Sequence, residues 1–191
     1  MNNRYFIIRH GENVYQIRKK EFIYPSKENF TIKLTPNGRN QVRKSLKRIK
    51  EEKIDLIYSS DFQRTKETAI IASKELNVRK INFDKRLRDL NMGIFQGRLK
   101  EDYYRFLNYK KRKFYQKPPK GESWVDLKKR TASFLKDIEE KHKNKKILVV
   151  GHADPLWILS GIIKKKNSQE LLKEAFIEKN HIKVGELRKV N

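Results

Sequence analysis

The stretch Tyr5-Phe6-Ile7-Ile8-Arg9-His10-Gly11-Glu12-Asn13 decides how the rest of the chain is interpreted. Its four leading residues are aromatic or β-branched, which is typical of a short strand buried on both faces. That strand runs directly into an arginine, a histidine and a glycine, and glycine permits a sharp turn. Open α/β proteins build their sites at this carboxyl edge of the sheet. The stretch therefore predicts a strand that presents His10 at a site.

Outward from this strand, strand-like and helix-like segments alternate along the chain. The predicted strands are 5–8, 54–58, 80–83 and 147–150, with an edge strand within 182–190. The predicted helices are 36 to about 53, 62–76, one or two within 99–114, 124 to about 141, 154–163 and a turn at 169–173. Such alternation indicates the α/β class, here a three-layer α/β/α sandwich with a mostly parallel central sheet. Residues 1–191 show no internal repeat or break in composition, so we expect one domain.

Several helix starts can be predicted from their capping residues. Thr35-Pro36 and the capping box of Ser123 and Asp126 are typical helix beginnings. Ser59-Ser60-Asp61 is predicted to cap the helix that carries Arg64, and Asp154-Pro155 to open the next-to-last helix. The segments 13–33 and 97–121 have little periodicity. Loops of this length in compact domains are often functional, so we predict that they act as lids.

The composition excludes several classes of protein. The 191 residues contain no cysteine, which excludes disulfides, thiolate catalysis and cysteine-ligated zinc. No apolar run approaches the about 18 residues of a membrane span, and the first four residues do not open a signal peptide. We therefore expect a cytoplasmic protein with no membrane partner.

The net charge of +24 has two interpretations. A polyanion such as nucleic acid is one partner that such a charge attracts. A bias that fills solvated positions with lysine is the other, and the spread of basic residues from Arg4 to Lys189 favours it. The sequence thus disfavours a dedicated nucleic-acid site, although the field would still steer phosphorylated small molecules toward the protein.

Three predicted strands end in similar residues. Arg9-His10 follows the first strand, Ser59-Ser60 follows the second with Arg64 just beyond, and Gly151-His152 follows the fourth. Parallel strands share one carboxyl edge, so these groups are expected to converge. Arginines, histidines and helix N-termini in one crevice predict an anion site, and phosphate fits it best.

Motifs in a fixed order then identify a family. They are Arg9-His10-Gly11-Glu12-Asn13, Leu34-Thr35-Pro36-Asn37-Gly38, Ser59-Ser60 with Arg64 and Thr68-Ala69, Leu87-Arg88-Asp89 with Gly93 and Gly97, Gly121-Glu122-Ser123, and Val149-Val150-Gly151-His152. Together they resemble the signature of the histidine phosphatase superfamily, which includes the cofactor-dependent phosphoglycerate mutases. The similarity spans residues 4 to about 163. It implies a phosphoglycerate mutase-like fold.

The resemblance also implies roles for individual residues. His10 would attack phosphorus and carry a phosphohistidine, while Arg9, Arg64 and His152 would hold the phosphoryl oxygens. Asp89 stands where the family usually has a glutamate proton donor, with Glu12 and Glu101 as alternatives. No metal or cofactor is expected. The remaining members of the predicted phosphate site are Gln16, which replaces the family's usual asparagine, and Gly11, Asn13, Ser59 and Ala153.

Other roles remain open for some of these residues. Ser59 is equally suited to a turn or cap. For Arg64 the less favoured alternative is pairing with Glu67 or Asp61, and for Asp89 it is bracing Arg86 or Arg88. The leading function is a phosphomonoesterase. The alternatives are a 2,3-bisphosphoglycerate-dependent phosphoglycerate mutase and a non-catalytic polyanion or nucleic-acid binder on the same fold. The partner expected for an enzyme is a phosphorylated small molecule, and the sequence does not indicate an oligomeric state. Basic residues in the lids suggest an acidic or multiply phosphorylated substrate, namely Arg18, Lys19, Lys20, Lys110, Lys111 and Arg112.

Overall fold

A mixed five-stranded sheet forms the centre of the fold. The computed structural model of the protein describes residues 1–19, 21–107, 114–178 and 180–191. The strands are β1 (Arg4–Arg9), β2 (Leu56–Ser59), β3 (Ile81–Phe83), β4 (Lys146–Gly151) and β5 (Leu187–Lys189). Their order across the sheet is β3-β2-β4-β1-β5, and only β5 runs antiparallel to its neighbour. The predicted mostly parallel sheet with a late edge strand is confirmed.

The helices lie in the connections between the strands. They are α1 (Val14–Arg18), α2 (Pro36–Lys47), α3 (Gln63–Glu75), α4 (Lys100–Leu107), α5 (Trp124–Lys141), α6 (Ala153–Ile163) and α7 (Ser168–Phe176). Short 3₁₀ turns occur at Lys27–Phe30, Lys50–Glu52, Lys85–Leu87 and Gly93–Phe95. Within the described ranges, none of the helices has the length and apolar character needed to cross a bilayer.

Side chains of β1 alternate between two apolar layers. Phe6 and Ile8 pack in a core with Val42 and Leu46 of α2 and with residues of α3. Tyr5 and Ile7 point to the other face, into a core formed with residues of α5 and α6. A strand buried on both faces needs a run of apolar residues, which the sequence supplies here. The predicted three-layer α/β/α architecture is therefore confirmed.

Three predicted helix ends differ from the structure. α2 ends at Lys47 and not near Lys53: the rest of the predicted helix is a separate 3₁₀ turn, Lys50–Glu52, which ends at Lys53 in a left-handed conformation (φ 49°). α3 begins at Gln63 without a side-chain cap, since the Asp61 carboxylate binds Arg88 (2.6 Å) instead of the helix end.

α6 also starts earlier than the sequence predicts. Its N-cap is His152, and Asp154 lies in the first turn, where its carboxylate accepts a hydrogen bond from Trp124 Nε1 (3.1 Å). The predicted turn at 169–173 is a longer helix, α7, which Asn167 caps through hydrogen bonds to the amides of Gln169 and Glu170.

The two predicted lid segments contact each other. Ile23 donates its amide hydrogen to Arg98 O (2.8 Å) and accepts from Gly97 N (3.0 Å), and Phe22 forms a β-bridge with Leu99. Ile23 also packs in a small apolar cluster with residues of α4. Residues 108–113, in the second half of the helix predicted within 99–114, lie outside the described residues. So do four basic residues of the predicted lid segments, Lys20, Lys110, Lys111 and Arg112.

Candidate active site

The register of the parallel strands brings three polar strand ends together at the carboxyl edge of the sheet. Arg9 of β1 lies opposite Gly151 of β4, and Ser59 of β2 lies opposite Val150. The next residues along these strands, His10, Ser60 and His152, therefore emerge side by side. The rings of His10 and His152 meet edge-on with centroids 5.3 Å apart. The predicted convergence of the histidines thus occurs in the structure.

A backbone carbonyl orients the imidazole of His10. His10 Nδ1 lies 2.9 Å from Gly11 O, and because a carbonyl oxygen can only accept, Nδ1 carries the proton. Nε2 then keeps its lone pair. Burial, together with the charges of Arg64 and Arg9, holds the pKa of His10 well below its usual range. The ring is therefore neutral near pH 7, which is the form that a nitrogen nucleophile requires.

His152 is also fully buried and lies between a serine and a carboxylate. Its Nε2 is 3.0 Å from Ser60 Oγ, and its Nδ1 is 3.7 Å from Asp89 Oδ2. Burial and then the charge of Arg64 hold the pKa of His152 well below the usual range. A bound dianion would oppose that shift, because negative charge nearby favours the imidazolium.

Two arginines bring positive charge to the same place. Arg64, in the first turn of α3, is 0% exposed; it donates to Asn29 Oδ1 (2.8 Å) and lies 3.4 Å from Asp89 Oδ2. It does not pair with Glu67 or Asp61, the alternative left open by the sequence. Arg9 donates through Nη1 to Ile182 O (3.0 Å).

Three buried nitrogens at this edge lack a hydrogen-bond partner within the described part of the chain. They are Arg9 Nε, Arg64 Nε and His152 Nδ1. An unsatisfied buried polar group destabilises a fold by about 1–3 kcal/mol, and more when it is charged. Phosphoryl oxygens are acceptors for such nitrogens, and their negative charge would oppose that of the guanidinium groups. The donor set therefore fits an oxyanion.

Asp89 faces this cationic group from the loop after β3. It does not brace Arg86 or Arg88, because Arg86 binds Asp84 (2.7 Å) and Arg88 binds Asp61. Burial raises the pKa of the Asp89 carboxyl above its usual value, against the opposing effect of the Arg64 charge. A raised pKa suits a carboxyl group that must deliver a proton.

The two alternative acids lie in other settings. Glu12 accepts hydrogen bonds from Thr35 Oγ1 (2.7 Å) and Asn37 Nδ2 (3.2 Å), which ties it to the start of α2. Glu101 is largely exposed and pairs with Arg105 on α4 (2.9 Å). Of the three carboxylates considered from the sequence, only Asp89 contacts the arginine and histidine group.

The other predicted phosphate ligands mostly have local structural contacts. Asn13 and Gln16 form the capping box of α1, with Asn13 Oδ1 accepting from Gln16 N (3.1 Å) and Gln16 Oε1 accepting from Asn13 N (3.1 Å). The amide hydrogen of Gly11 points to Thr68 Oγ1 (3.4 Å). These contacts position the turn after His10.

Ser59 and Ala153, the two remaining predicted phosphate ligands, have different kinds of contact. Ser59 is fully buried, and its hydroxyl donates to Ser60 O (2.8 Å) and Thr65 O (3.3 Å), which makes it a turn residue. Ala153 is the first residue of α6, where a helix leaves its amide hydrogens without intrahelical partners. Ala153 therefore presents a backbone donor at the edge where His152 lies.

Sequence reasoning missed three residues around the site. Ser60, and not Ser59, contacts His152; the two serines were visible as a pair, but the pattern alone did not indicate which hydroxyl faces the site. Asn29 and Tyr24 of the first predicted lid segment contact Arg64, with the Tyr24 ring 4.4 Å from the guanidinium carbon. No local signal in segment 13–33 distinguishes them.

Two cavities open beside Asp89. The larger has a volume of about 390 Å³ and is lined by Phe30, Phe62 and Arg88 among others. The smaller, of about 150 Å³, reaches Arg9, Gln16 and Lys19. Both are also lined by Ile23, Tyr24, Asp89 and Met92. Both cavities therefore reach Asp89.

A family model and two related proteins match much of the chain. The family model described as the histidine phosphatase superfamily (branch 1) matches residues 5–182. The chain is similar to phosphoglycerate mutase-like protein 4 of Arabidopsis thaliana, with 30% identity over 76% of this chain and 64% of that protein. It is also similar to phosphoserine phosphatase 1 of Hydrogenobacter thermophilus, with 28% identity over 64% of this chain and 60% of that protein. The chain thus spans less than two thirds of either relative.

Solved structures share the fold. One example is mycobacterial glucosyl-3-phosphoglycerate phosphatase, which superposes with a TM-score of 0.79. The alignment covers 97% of this chain and 88% of that protein at 18% identity. At this identity the likeness concerns the fold alone, and it confirms the phosphoglycerate mutase-like architecture expected from the motifs.

Proposed function

The chain belongs to the histidine phosphatase superfamily, and we propose that it is a phosphomonoesterase that acts through a covalent phosphohistidine on His10. In this proposal Arg9, Arg64 and His152 bind the phosphoryl group and Asp89 moves the proton. The observation that carries it is a neutral, oriented imidazole beside three buried nitrogens that have no hydrogen-bond partner among the described residues.

The first step forms the phosphoenzyme. The lone pair of His10 Nε2 attacks phosphorus, the N–P bond forms and the P–O bond to the leaving group breaks. Asp89, in its carboxylic acid form, gives a proton to the departing oxygen, so that an alcohol leaves. The two guanidinium groups and His152 hold the equatorial oxygens, whose charge must be stabilised throughout the transfer.

The second step reverses these roles. The Asp89 carboxylate takes a proton from a water molecule, which attacks the phosphohistidine. The N–P bond breaks, inorganic phosphate leaves, and Asp89 is again protonated for the next turnover. Aspartate is intrinsically more acidic than glutamate by about 0.4 pKa units. The upward shift of the Asp89 pKa by burial works against that difference.

A substrate panel tests the proposal directly. Phosphate release from an aryl phosphate, phosphoserine and 3-phosphoglycerate is measured for the wild type and for His10→Ala. We expect turnover by the wild type and a loss of at least about 10³-fold in the variant, because the covalent route disappears. His142→Ala is the matched control, since that ring binds Tyr58 away from the site (2.8 Å) and should leave turnover unchanged.

The intermediate provides a second, independent test. The wild type is mixed with a substrate that carries a radioactive phosphoryl group, and the reaction is quenched rapidly. An acid-labile label should then be found on His10, and His10→Ala should carry none. Turnover without a label on His10 would rule out the covalent route.

A phosphoglycerate mutase is the second candidate, because one similar protein is named phosphoglycerate mutase-like. The two activities differ in the fate of the phosphohistidine, since a mutase must return the phosphoryl group to a bound sugar acid before water reaches it. The panel is repeated with 3-phosphoglycerate, with and without 2,3-bisphosphoglycerate. Isomerisation without phosphate release would establish the mutase and reject the phosphatase.

A further inference from the structure

The strongest unexplained feature of the site is the way in which the first lid holds Arg64. Arg64 is wholly buried, yet its short hydrogen bond from Nη1 goes to a neutral amide, Asn29 Oδ1, at 2.8 Å. The Asp89 carboxylate also accepts from Arg64, as an ion pair, but at the longer distance of 3.4 Å from Nη2. Asn29 is itself only 4% exposed. Among the described residues, this wholly buried guanidinium is thus paired with one carboxylate at a long distance, while its shorter hydrogen bond goes to a group without charge.

The neutral partner has a clear consequence for anion binding. An amide oxygen fixes the direction of the guanidinium plane but cancels none of its charge. A carboxylate in the same place would form an ion pair and compete with the phosphoryl group for the guanidinium. Asn29 therefore adds no second negative charge beside that of Asp89. Arg64 Nε has no hydrogen-bond partner among the described residues, so it can contact an oxygen of the ligand.

Tyr24 supports the same guanidinium from another side. The centre of its ring lies 4.4 Å from Arg64 Cζ, a cation–π distance, and its hydroxyl accepts from Asn13 Nδ2 (3.0 Å). Asn13 in turn caps α1, three residues after His10. The segment that follows the nucleophile is thus connected through Tyr24 to the arginine of a different strand–helix unit.

We propose that Asn29 is a positioning residue for Arg64, assisted by Tyr24, and that the neutral amide at position 29 is what gives the site its affinity for a phosphoryl dianion. This inference rests on the proposed function, because it assigns Arg64 to the phosphoryl group. It extends that function by making the first lid part of the anion-binding apparatus. Neither Asn29 nor Tyr24 contacts the reacting atoms in this role.

The test adds a single negative charge at position 29. Asn29→Asp keeps an oxygen acceptor in place and adds an ion pair with Arg64, so its thermal stability should equal or exceed that of the wild type. Its dissociation constant for inorganic phosphate, measured by calorimetry, should nevertheless rise at least about tenfold. Competitive inhibition by phosphate should weaken by a similar factor.

Thr31→Asp is the matched control, because Thr31 is exposed on the same lid and the variant adds the same charge. Its dissociation constant for phosphate should stay within about twofold of the wild-type value, because salt screens a charge at an exposed position. Equal phosphate affinities for Asn29→Asp and Thr31→Asp would overturn the inference. A purely structural role for Asn29 predicts that equality.

Removing the Asn29 side-chain oxygen tests the orientation of Arg64 without adding a charge. Asn29→Ala leaves Arg64 without its short hydrogen bond, so kcat/KM should fall by about 10-fold to 100-fold. Tyr24→Phe keeps the ring face and should bind phosphate nearly as well as the wild type, whereas Tyr24→Leu should not. Equal binding by the two Tyr24 variants would contradict the part assigned to the ring.

The binding measurements also distinguish failure of the proposed phosphatase activity from failure of the role assigned to Asn29. Phosphate affinity is determined without turnover. A wild type that binds phosphate and hydrolyses no ester would reject the phosphatase but leave the role of Asn29 standing. A wild type that turns over while Asn29→Asp keeps full phosphate affinity would reject the role of Asn29 alone.

Discussion

At the scale of single residues, His10 and His152 share one buried, positively charged setting. Both have pKa values well below the usual value of about 6.5, first because of burial and then because of the neighbouring arginines. In the folded protein the two rings stay neutral in weakly acidic solution. In the unfolded chain they take up protons as the pH falls through about 6.5.

This difference predicts that acid destabilises the fold through the histidines. Between the folded and unfolded pKa values the unfolded chain binds more protons, so the free energy of unfolding decreases as the pH is lowered. Each histidine contributes at most about 1.4 kcal/mol per pH unit in this window. Thermal unfolding of the wild type at pH 7.5 and at about one unit below pH 6.5 should show the loss.

His10→Asn provides the comparison for that measurement. It removes one of the two groups, so the melting temperature of this variant should depend less on pH than that of the wild type. The carboxylates, including Asp89, are common to both proteins and cancel in the difference. An identical pH dependence would mean that His10 titrates normally in the folded protein.

Asp89 leads to a prediction about leaving groups. Asp89→Asn keeps the shape of the side chain but removes the proton donor, so turnover of an alkyl phosphate should fall by about 10²-fold or more. A phosphate ester of an acidic phenol needs no proton on departure, and its phosphorylation step should fall much less. The measurement compares the burst of released phenol with the steady-state rate for both esters. Equal losses in the burst phase would argue against Asp89 as the acid.

At the scale of elements, the turn after β1 is held by close packing against the start of α2. A side-chain carbon on Gly38 would meet the backbone carbonyl of Glu12, and one on Gly11 would meet the carbonyl of Gly38. Thr35 N also donates to Glu12 O (2.9 Å). Helix and turn thus touch backbone to backbone, and this contact positions the residues that follow His10.

We therefore expect Gly38→Ala to affect both stability and activity. Overpacking of this kind destabilises proteins by about 1–3 kcal/mol, and the displaced turn should also lower kcat/KM. Chemical denaturation and steady-state kinetics measure the two effects. Lys44→Ala, at an exposed position of the same helix, should stay within about 0.5 kcal/mol of the wild type with unchanged kinetics. Wild-type behaviour of Gly38→Ala would show that the helix can move away without consequence.

At the scale of the whole molecule, the net charge of +24 acts on stability and on binding in opposite directions. Like charges repel one another in the folded protein, and the same field attracts phosphorylated substrates. Salt screens both effects, with a Debye length of about 10 Å at 0.1 M.

Raising sodium chloride from about 0.05 M to about 0.5 M should therefore increase the melting temperature and lower kcat/KM for a phosphate ester. Sucrose, which adds no ions, serves as the control for the kinetic effect. A kcat/KM that does not change with salt would show that the long-range field plays no part in substrate capture.

The sequence by itself determined the order of the strands and helices along the chain, the α/β class and the family. These features depend on local patterns: apolar runs for β1 and β4, helical periodicity for α2 and α5, and short motifs at strand ends. Local patterns were less reliable at helix ends. The cap predicted from Ser59-Ser60-Asp61 was wrong because Asp61 binds an arginine of a distant loop, Arg88.

Only the tertiary structure decided which side chains contact one another within the site. The partners of Arg64 are 35 and 25 residues away in sequence, at Asn29 and Asp89, and the partner of His152 is 92 residues away, at Ser60. A strand pattern says that Ser59 and Ser60 point to opposite faces, but the face that meets His152 depends on how β2 and β4 are aligned. Hydrogen bonding and burial at such contacts depend on packing between distant segments, which local sequence patterns do not predict.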